Sequence, residues 1–228
     1  MASYRVKAGD TLAKIAKRFY EDPNLAKELA HYNGMLNPDL LLVGQTLQVP
    51  SKKELIGPAQ PPVTPAGLQP PHGLEAIKAT FGDINAYLTD DGTPDPAWQS
   101  EHMTRIPLPF PVPLSGDRSK VVTRIYCHVK WQDFIPEVFA TLEREGLKDQ
   151  IKTFGGCFNF RSKRTADKFS THCWGIAIDL NPETNQQGTA GDMNEDVVEI
   201  FRRFGFKWGG DWAGKSKDPM HFQFCTGY

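Results

Sequence analysis

The hydrophobic pattern of the first fifty positions changes period twice. Tyr4 and Val6 lie two apart, as on a half-buried strand. From Leu12 the interval becomes helical, with Leu12, Ile15, Ala16 and Phe19 forming one apolar stripe. Asp10 or Thr11 stands where an N-cap accepts from the unpaired amides of the first turn. Pro23 ends this helix and opens another, with Leu25, Leu29 and Tyr32 on one face. Asn33-Gly34 signals a turn. Leu41, Gly44-Gln45, Leu47 and Val49-Pro50 read as a turn and a closing strand. The predicted order is strand, helix, helix, strand.

The pattern then breaks. Pro58, Pro61, Pro62, Pro65, Pro70 and Pro71 crowd the stretch 51–72, which reads as an extended tether. A tether raises the local concentration of one domain wherever the other is bound. Periodicity resumes at Leu74, Ile77 and Phe81, a short helix. Pro107 to Pro113 is an apolar extended stretch, and the β-branched run from Lys120 to Val129 is a strand. Phe134, Val138 and Leu142 mark a helix that Gly146 caps. Residues 154–160, 175–180 and 220–224 read as strands, and 194–204 as a helix. The expected architecture is α+β: a small βααβ module over residues 1–50, a proline-rich linker over 51–72, and a larger α+β domain over 73–228 with a mainly antiparallel sheet.

Composition narrows the classes of partner. The chain has 228 residues, 39% hydrophobic and 23% charged, which suits two modest globular domains. A net charge of −1 lacks the basic excess that neutralises phosphates, so no nucleic-acid partner is expected. No run of 18 apolar residues occurs, so no membrane span is expected either. The chain is expected to act as a monomer. Cys127, Cys157, Cys173 and Cys225 form no CxxC pair, which argues against a zinc knuckle or a thioredoxin-type motif. They read first as buried free thiols, with one or two disulfides of open pairing as the alternative.

Chemistry concentrates in two stretches, Ser170-Thr171-His172-Cys173-Trp174-Gly175-Ile176-Ala177-Ile178-Asp179 and Asp218-Pro219-Met220-His221-Phe222. A zinc hydrolase needs three protein ligands and one open position, and His172, Asp179 and His221 supply two imidazoles and a carboxylate. Fully extended, the segment from His172 to Asp179 would span roughly 23 Å. Two ligands of one ion lie within a few Å, so the chain must fold back, and Gly175 is the residue that permits the bend. Along the strand that follows, Ile176, Ile178 and Leu180 face one side and Ala177 and Asp179 the other. Asp218, three before His221, is placed to take a proton from the attacking water and return it to the leaving amine. The lone histidines His31, His72, His102 and His128 read as structural or exposed. Trp174, Trp208 and Trp212 read as core or cleft wall.

Two resemblances carry the functional expectation. Tyr4-x-Val6-x-x-Gly9-Asp10-Thr11-Leu12, Ile15-Ala16, Asn33 and the closing Gly44-Gln45-x-Leu47-x-Val49-Pro50 resemble the LysM domain. That resemblance implies binding of N-acetylglucosamine-containing glycans, chiefly peptidoglycan. By position the sugar groove falls to Gly9, Asp10, Thr11 and Leu12 and to Asn37, Pro38, Asp39, Leu40 and Leu41. The second half is similar to zinc peptidases that include D-alanyl-D-alanine carboxypeptidases and L-alanyl-D-glutamate endopeptidases of bacteria and phage lysins. Ser170, His172, Gly175, Ala177, Asp179, Asp218 and His221 fill their S-x-H-x-x-G-x-A-x-D and acid-x-x-H pattern. The resemblance implies one Zn2+ on His172, Asp179 and His221, Asp218 as general base, and Arg161 holding substrate or oxyanion. A guanidinium suits that last role because it is always charged and bonds a carboxylate through two donors. Ser170 is expected to support the ligands from behind.

The acid is Asp rather than Glu, and Trp208-Gly209-Gly210-Asp211-Trp212 precedes it. Both tilt the expectation toward cleavage of the L-Ala–D-Glu bond. Removal of terminal D-Ala and a non-catalytic wall-binding role are the alternatives. Action is expected at the bacterial cell wall, extracellular or periplasmic. A phage endolysin and a bacterial remodelling enzyme both fit; Met1 to Arg5 lacks the apolar core of a secretory signal, which favours a lysin reaching the wall through a holin-type pore.

Overall fold

A computed structural model describes residues 2–33, 35, 41–56, 68–89, 92–161 and 168–228. The chain divides into two compact units, residues 1–61 and 62–228.

In the first unit, β1 (Ala2–Arg5) pairs antiparallel with β2 (Thr46–Val49), Tyr4 opposite Leu47. Between them run α1 (Leu12–Tyr20) and α2 (Ala26–Tyr32). Thr11 caps α1, its side chain accepting from the Lys14 amide. Leu12, Ile15, Ala16, Leu25, Leu29, Leu47 and Val49 close one small core. Asn33 clamps the end of α2 to β2: its Nδ2 donates to the Leu29 and Gln48 carbonyls, and its Oδ1 accepts from the Gln48 amide.

Two local readings are corrected here. Phe19 belongs to the predicted stripe but remains 38% exposed, edge-on to Tyr4 and under the Arg18 guanidinium. Tyr20 takes the buried position instead, its hydroxyl donating to the Pro50 carbonyl. The stretch read as linker begins with a helix, α3 (Lys52–Ile56), which buries Leu55 in the same core. A capping box starts it: Glu54 accepts from the Ser51 amide, and the Ser51 hydroxyl accepts from the Glu54 amide.

The second unit opens with α4 (Gly73–Phe81) and α5 (Pro96–His102), followed by the long hairpin β3 (Met103–Leu114) and β4 (Asp117–His128). Then come α6 (Ile135–Arg144), β5 (Phe154–Gly156), β6 (Ala177–Leu180), α7 (Glu195–Arg203), β7 (Lys207–Trp208) and β8 (His221–Gln223). Six strands form one sheet in the order β4-β3-β5-β6-β8-β7. Every neighbour pair is antiparallel except β3 with β5, so the α+β architecture with a mainly antiparallel sheet holds. The predicted strand over 154–160 stops at Gly156, where φ is +146° and the chain leaves the sheet. Asn159 then donates to the His172 carbonyl, which carries this loop toward the chemistry. One face of the sheet is closed by aromatic packing, with Phe222 of β8 against Phe201 of α7 at 4.4 Å between ring centres. All four cysteines are buried free thiols.

His128 is buried beneath this core, and its ring bonds fix a neutral form. Nδ1 accepts from the Lys130 amide, which leaves Nε2–H to donate to the Phe81 carbonyl. Burial, with the charges of His102 and Lys130, pushes its pKa down to about 3 from the ordinary 6.5. The unfolded chain therefore binds a proton below pH 6.5 that the folded chain refuses, and stability is lost as pH falls through that window. The loss is about 1.4 kcal/mol per pH unit. Denaturant titrations at pH 7 and pH 5 are expected to show a smaller difference for His128→Asn, which keeps an acceptor for the Lys130 amide. Equal differences in the two proteins would refute this.

Candidate metal centre

Three donor atoms meet beside the paired strands β6 and β8. Asp179 on β6 lies directly across from His221 on β8, because the antiparallel register pairs those two residues. His172 comes from a 3-10 turn, Thr171–Trp174, capped by Ser170, whose hydroxyl accepts from the His172 amide at 3.4 Å. Gly175 ends that turn at φ +63° and reverses the chain into β6, as the spacing required. A side chain there would be strained and would also stand 2.5 Å from Met103 Cε. The alternation along β6 sends Ile178 and Leu180 into the core and leaves Asp179 on the other face.

The resulting triangle is nearly equilateral. His172 Nε2 lies 3.1 Å from His221 Nδ1 and 3.2 Å from Asp179 Oδ1, and His221 Nδ1 lies 3.1 Å from the same oxygen. Ligands about 2.0–2.1 Å from a tetrahedral ion are separated by about 3.3–3.4 Å, so this donor set fits zinc in size and in type. The far ring nitrogens are engaged too. His172 Nδ1 donates to the Cys157 carbonyl at 2.6 Å, and His221 Nε2 to Gln223 Oε1 at 3.1 Å. Such partners fix which nitrogen is available to a metal.

The electrostatics favour a cation in the triangle. Burial pushes Asp179 up, but the charges and hydrogen bonds of His172 and His221 outweigh it and hold the carboxyl far below the usual carboxylate range. Burial pushes His221 down, but the bond and charge of Asp179, then the charge of Asp218, outweigh it and raise it. Asp218 also meets His221 through the backbone, its carbonyl accepting from the His221 amide at 3.0 Å.

Its turn is fastened at each position. Gly188 donates to the Lys217 carbonyl, Asp218 to the Gly209 carbonyl, Trp208 Nε1 to the Pro219 carbonyl, and Met220 to the Asn185 carbonyl. Gly209 and Gly210 leave room for this: a Cβ at Gly209 would meet the Asp218 carbonyl at 2.4 Å, and one at Gly210 the Trp208 ring at 2.1 Å. Arg161 is tied to the same region by backbone, its amide donating to Cys173 Sγ and its carbonyl accepting from the Ser170 amide. Trp174 and Trp208 are buried, whereas Trp212 is half-buried and its ring lies 5.4 Å from that of His221, a wall of the site. The sequence reading passed over Thr171, Gln223 and the Cys157 carbonyl. The one signal available was position, since Thr171 precedes His172 and Gln223 follows His221 by two on the same strand face.

Of the residues assigned to glycan, Asn37, Pro38, Asp39 and Leu40 lie outside the described residues. Leu41 is half-buried against the small core. Gly9 turns the chain at φ +84°, and Leu12 is buried. Asp10 accepts from the Lys7 amide and the Tyr4 hydroxyl, which hold the loop. Those bonds, the Lys7 amide first, lower its pKa.

Comparison with known proteins gives two family matches. Residues 4–50 match the LysM domain, and residues 163–224 match a family described as D-alanyl-D-alanine carboxypeptidase. Their order along the chain is the one read from the motifs. An uncharacterized protein of Deinococcus radiodurans is 51% identical over 47 residues, 21% of this chain. The chain spans only 19% of the length of that curated relative. No solved structure matches. No helix among the described residues is long and apolar enough to cross a membrane.

Proposed function

We propose that the protein is a zinc-dependent peptidoglycan hydrolase that cuts stem peptides, held at the wall by its LysM unit. The observation that carries this reading is the triangle of His172 Nε2, Asp179 Oδ1 and His221 Nδ1 with edges of 3.1–3.2 Å. These three residues would hold the ion. Two imidazoles and one carboxylate favour zinc over calcium or magnesium, which prefer oxygen ligands in larger number. When bound, zinc supplies Lewis acidity that makes water nucleophilic near neutral pH and polarises the scissile carbonyl.

The remaining work falls to the chain's own side chains. Asp218, fixed by its turn beside His221, takes the proton of the attacking water on its carboxylate and delivers it to the leaving amine. Arg161 presents a permanent positive charge to a carboxylate of the stem peptide or to the developing oxyanion. Ser170 holds the His172 turn from behind. The loop Gly9–Leu12, together with residues 37–41, takes the glycan.

The bond cut is the one between L-Ala and D-Glu, in line with the aspartate at 218 and the Trp208–Trp212 motif. The second reading, release of terminal D-Ala, is favoured by the printed description of the matched family. Mass spectrometry of muropeptides digested by the zinc-loaded protein separates the two. A new D-Glu amino terminus is the expected product. Free D-Ala would overturn the choice of bond, and wall binding without any product would reduce the protein to a binding module.

A further inference from the structure

We propose that Gln223, braced by Thr171, is a positioning residue that locks the tautomer of His221, keeping its proton on Nε2 so that Nδ1 is the donor to the metal. This inference rests on the zinc reading above. A neutral imidazole carries one proton, and two places compete for it. On Nδ1 it would point at Asp179 Oδ1, 3.1 Å away, and the ring would have no lone pair to give the ion. An acceptor on the far side of the ring must therefore hold a proton at Nε2, so that Nδ1 can give its lone pair when the ion takes the place beside Asp179.

Gln223 Oε1 does so, 3.1 Å from His221 Nε2, with Thr171 Oγ1 a longer contact of the same nitrogen at 3.4 Å. The orientation of its amide is itself fixed. Thr171 Oγ1 donates to the same Oε1 at 3.3 Å, and Gln223 Nε2 donates to the Cys225 carbonyl at 3.5 Å. The reverse orientation would set an NH2 group against the proton of His221 Nε2 and an oxygen against a carbonyl oxygen. Thr171 is 1% exposed and Gln223 3% exposed, so water cannot take over either role. The placement follows from the fold. Gln223 shares a face of β8 with His221 and sits opposite Ala177, a residue small enough to leave space for it. His172 has its own lock, the Cys157 carbonyl, so the Gln223 contact acts on His221 alone.

The test measures zinc affinity of the full chain by chelator competition, with thermal melting as a check on folding. Gln223→Met removes the nearer acceptor at similar length, leaving only the longer Thr171 contact, and is expected to weaken zinc binding about 10–100-fold, the usual cost of losing such a partner. Gln223→Glu keeps an acceptor and is expected to bind zinc within about threefold of the parent. Nitrogen-15 NMR of the zinc-free chain should show a larger share of the His221 Nε2–H form in the parent than in Gln223→Met, a difference a merely structural glutamine would not produce. Unchanged affinity in Gln223→Met, or equal losses in both variants, would overturn the lock while leaving the zinc reading intact. A parent chain that binds no zinc would overturn both. If Gln223→Met does not fold, Thr171→Val removes the bracing hydroxyl at near-constant volume, and an unchanged affinity there would also overturn the lock.

Discussion

Asp218→Asn protein is expected to bind one zinc per chain as tightly as the parent, yet hydrolyse stem peptides about 10²–10⁴-fold more slowly, the usual share of a general base. The separation of the two effects is the informative part. Asp218 stands outside the donor triangle; its carbonyl accepts from the His221 amide, and its charge acts on the His221 ring. The backbone bonds that fasten its turn come from Gly188, Gly209, Asn185 and Trp208, none of which needs the carboxylate. Asparagine is nearly isosteric, so the turn should persist while the proton acceptor is lost. Zinc content by elemental analysis, run beside kcat and KM on a defined muropeptide, gives the result. Unimpaired hydrolysis would remove Asp218 from the mechanism. Loss of zinc together with activity would make it a structural part of the metal centre.

His221→Ala should abolish both functions at once. Loss of a partner behind a ligand costs about 10–100-fold in metal affinity, and loss of a ligand itself costs more. Only His172 and Asp179 would remain, and two donors leave zinc with neither its geometry nor its charge balance. The expected outcome is protein without stoichiometric zinc after dialysis and hydrolysis reduced at least ~10³-fold, comparable with loss of an indispensable catalytic group. Thermal melting should show a folded chain, because Phe222 and Phe224, which anchor β8 in the core, are untouched. Retained zinc with retained activity would show that the ion sits elsewhere.

These expectations rest unequally on sequence and on fold. The Ser170-to-Asp179 motif was legible because its logic is local: two candidate donors seven residues apart require a chain reversal to meet, and one glycine stands at the reversal. The strand alternation that turns Asp179 away from the core was legible for the same reason. Phe19 was misread because a helical period marks a face but not how much of it is covered. Tyr20, one position on, reached the core instead, since its hydroxyl could meet the Pro50 carbonyl. The helix at Lys52–Ile56 carried its own signal, serine followed three residues later by glutamate, which the nearby prolines masked. The strand after Phe154 was drawn too long because its apolar residues continue past Gly156, where the backbone turns out of the sheet.

By itself the sequence determined the α+β class, the strand-helix-helix-strand order of the first unit, and the spacing of the three candidate donors. Each of these depends on residues close together in the chain, where steric rules and periodicity act. Tertiary structure alone decided that Asp179 faces His221 across β6 and β8, that Cys157 and Gln223 hold the outer nitrogens of the two histidines, and that Gly209 admits the Asp218 turn. Asp179 and His221 are 42 positions apart. Between them run α7 and β7, and only the pairing of the sheet sets which residue stands opposite which, because a slip of one position would turn the histidine to the other face.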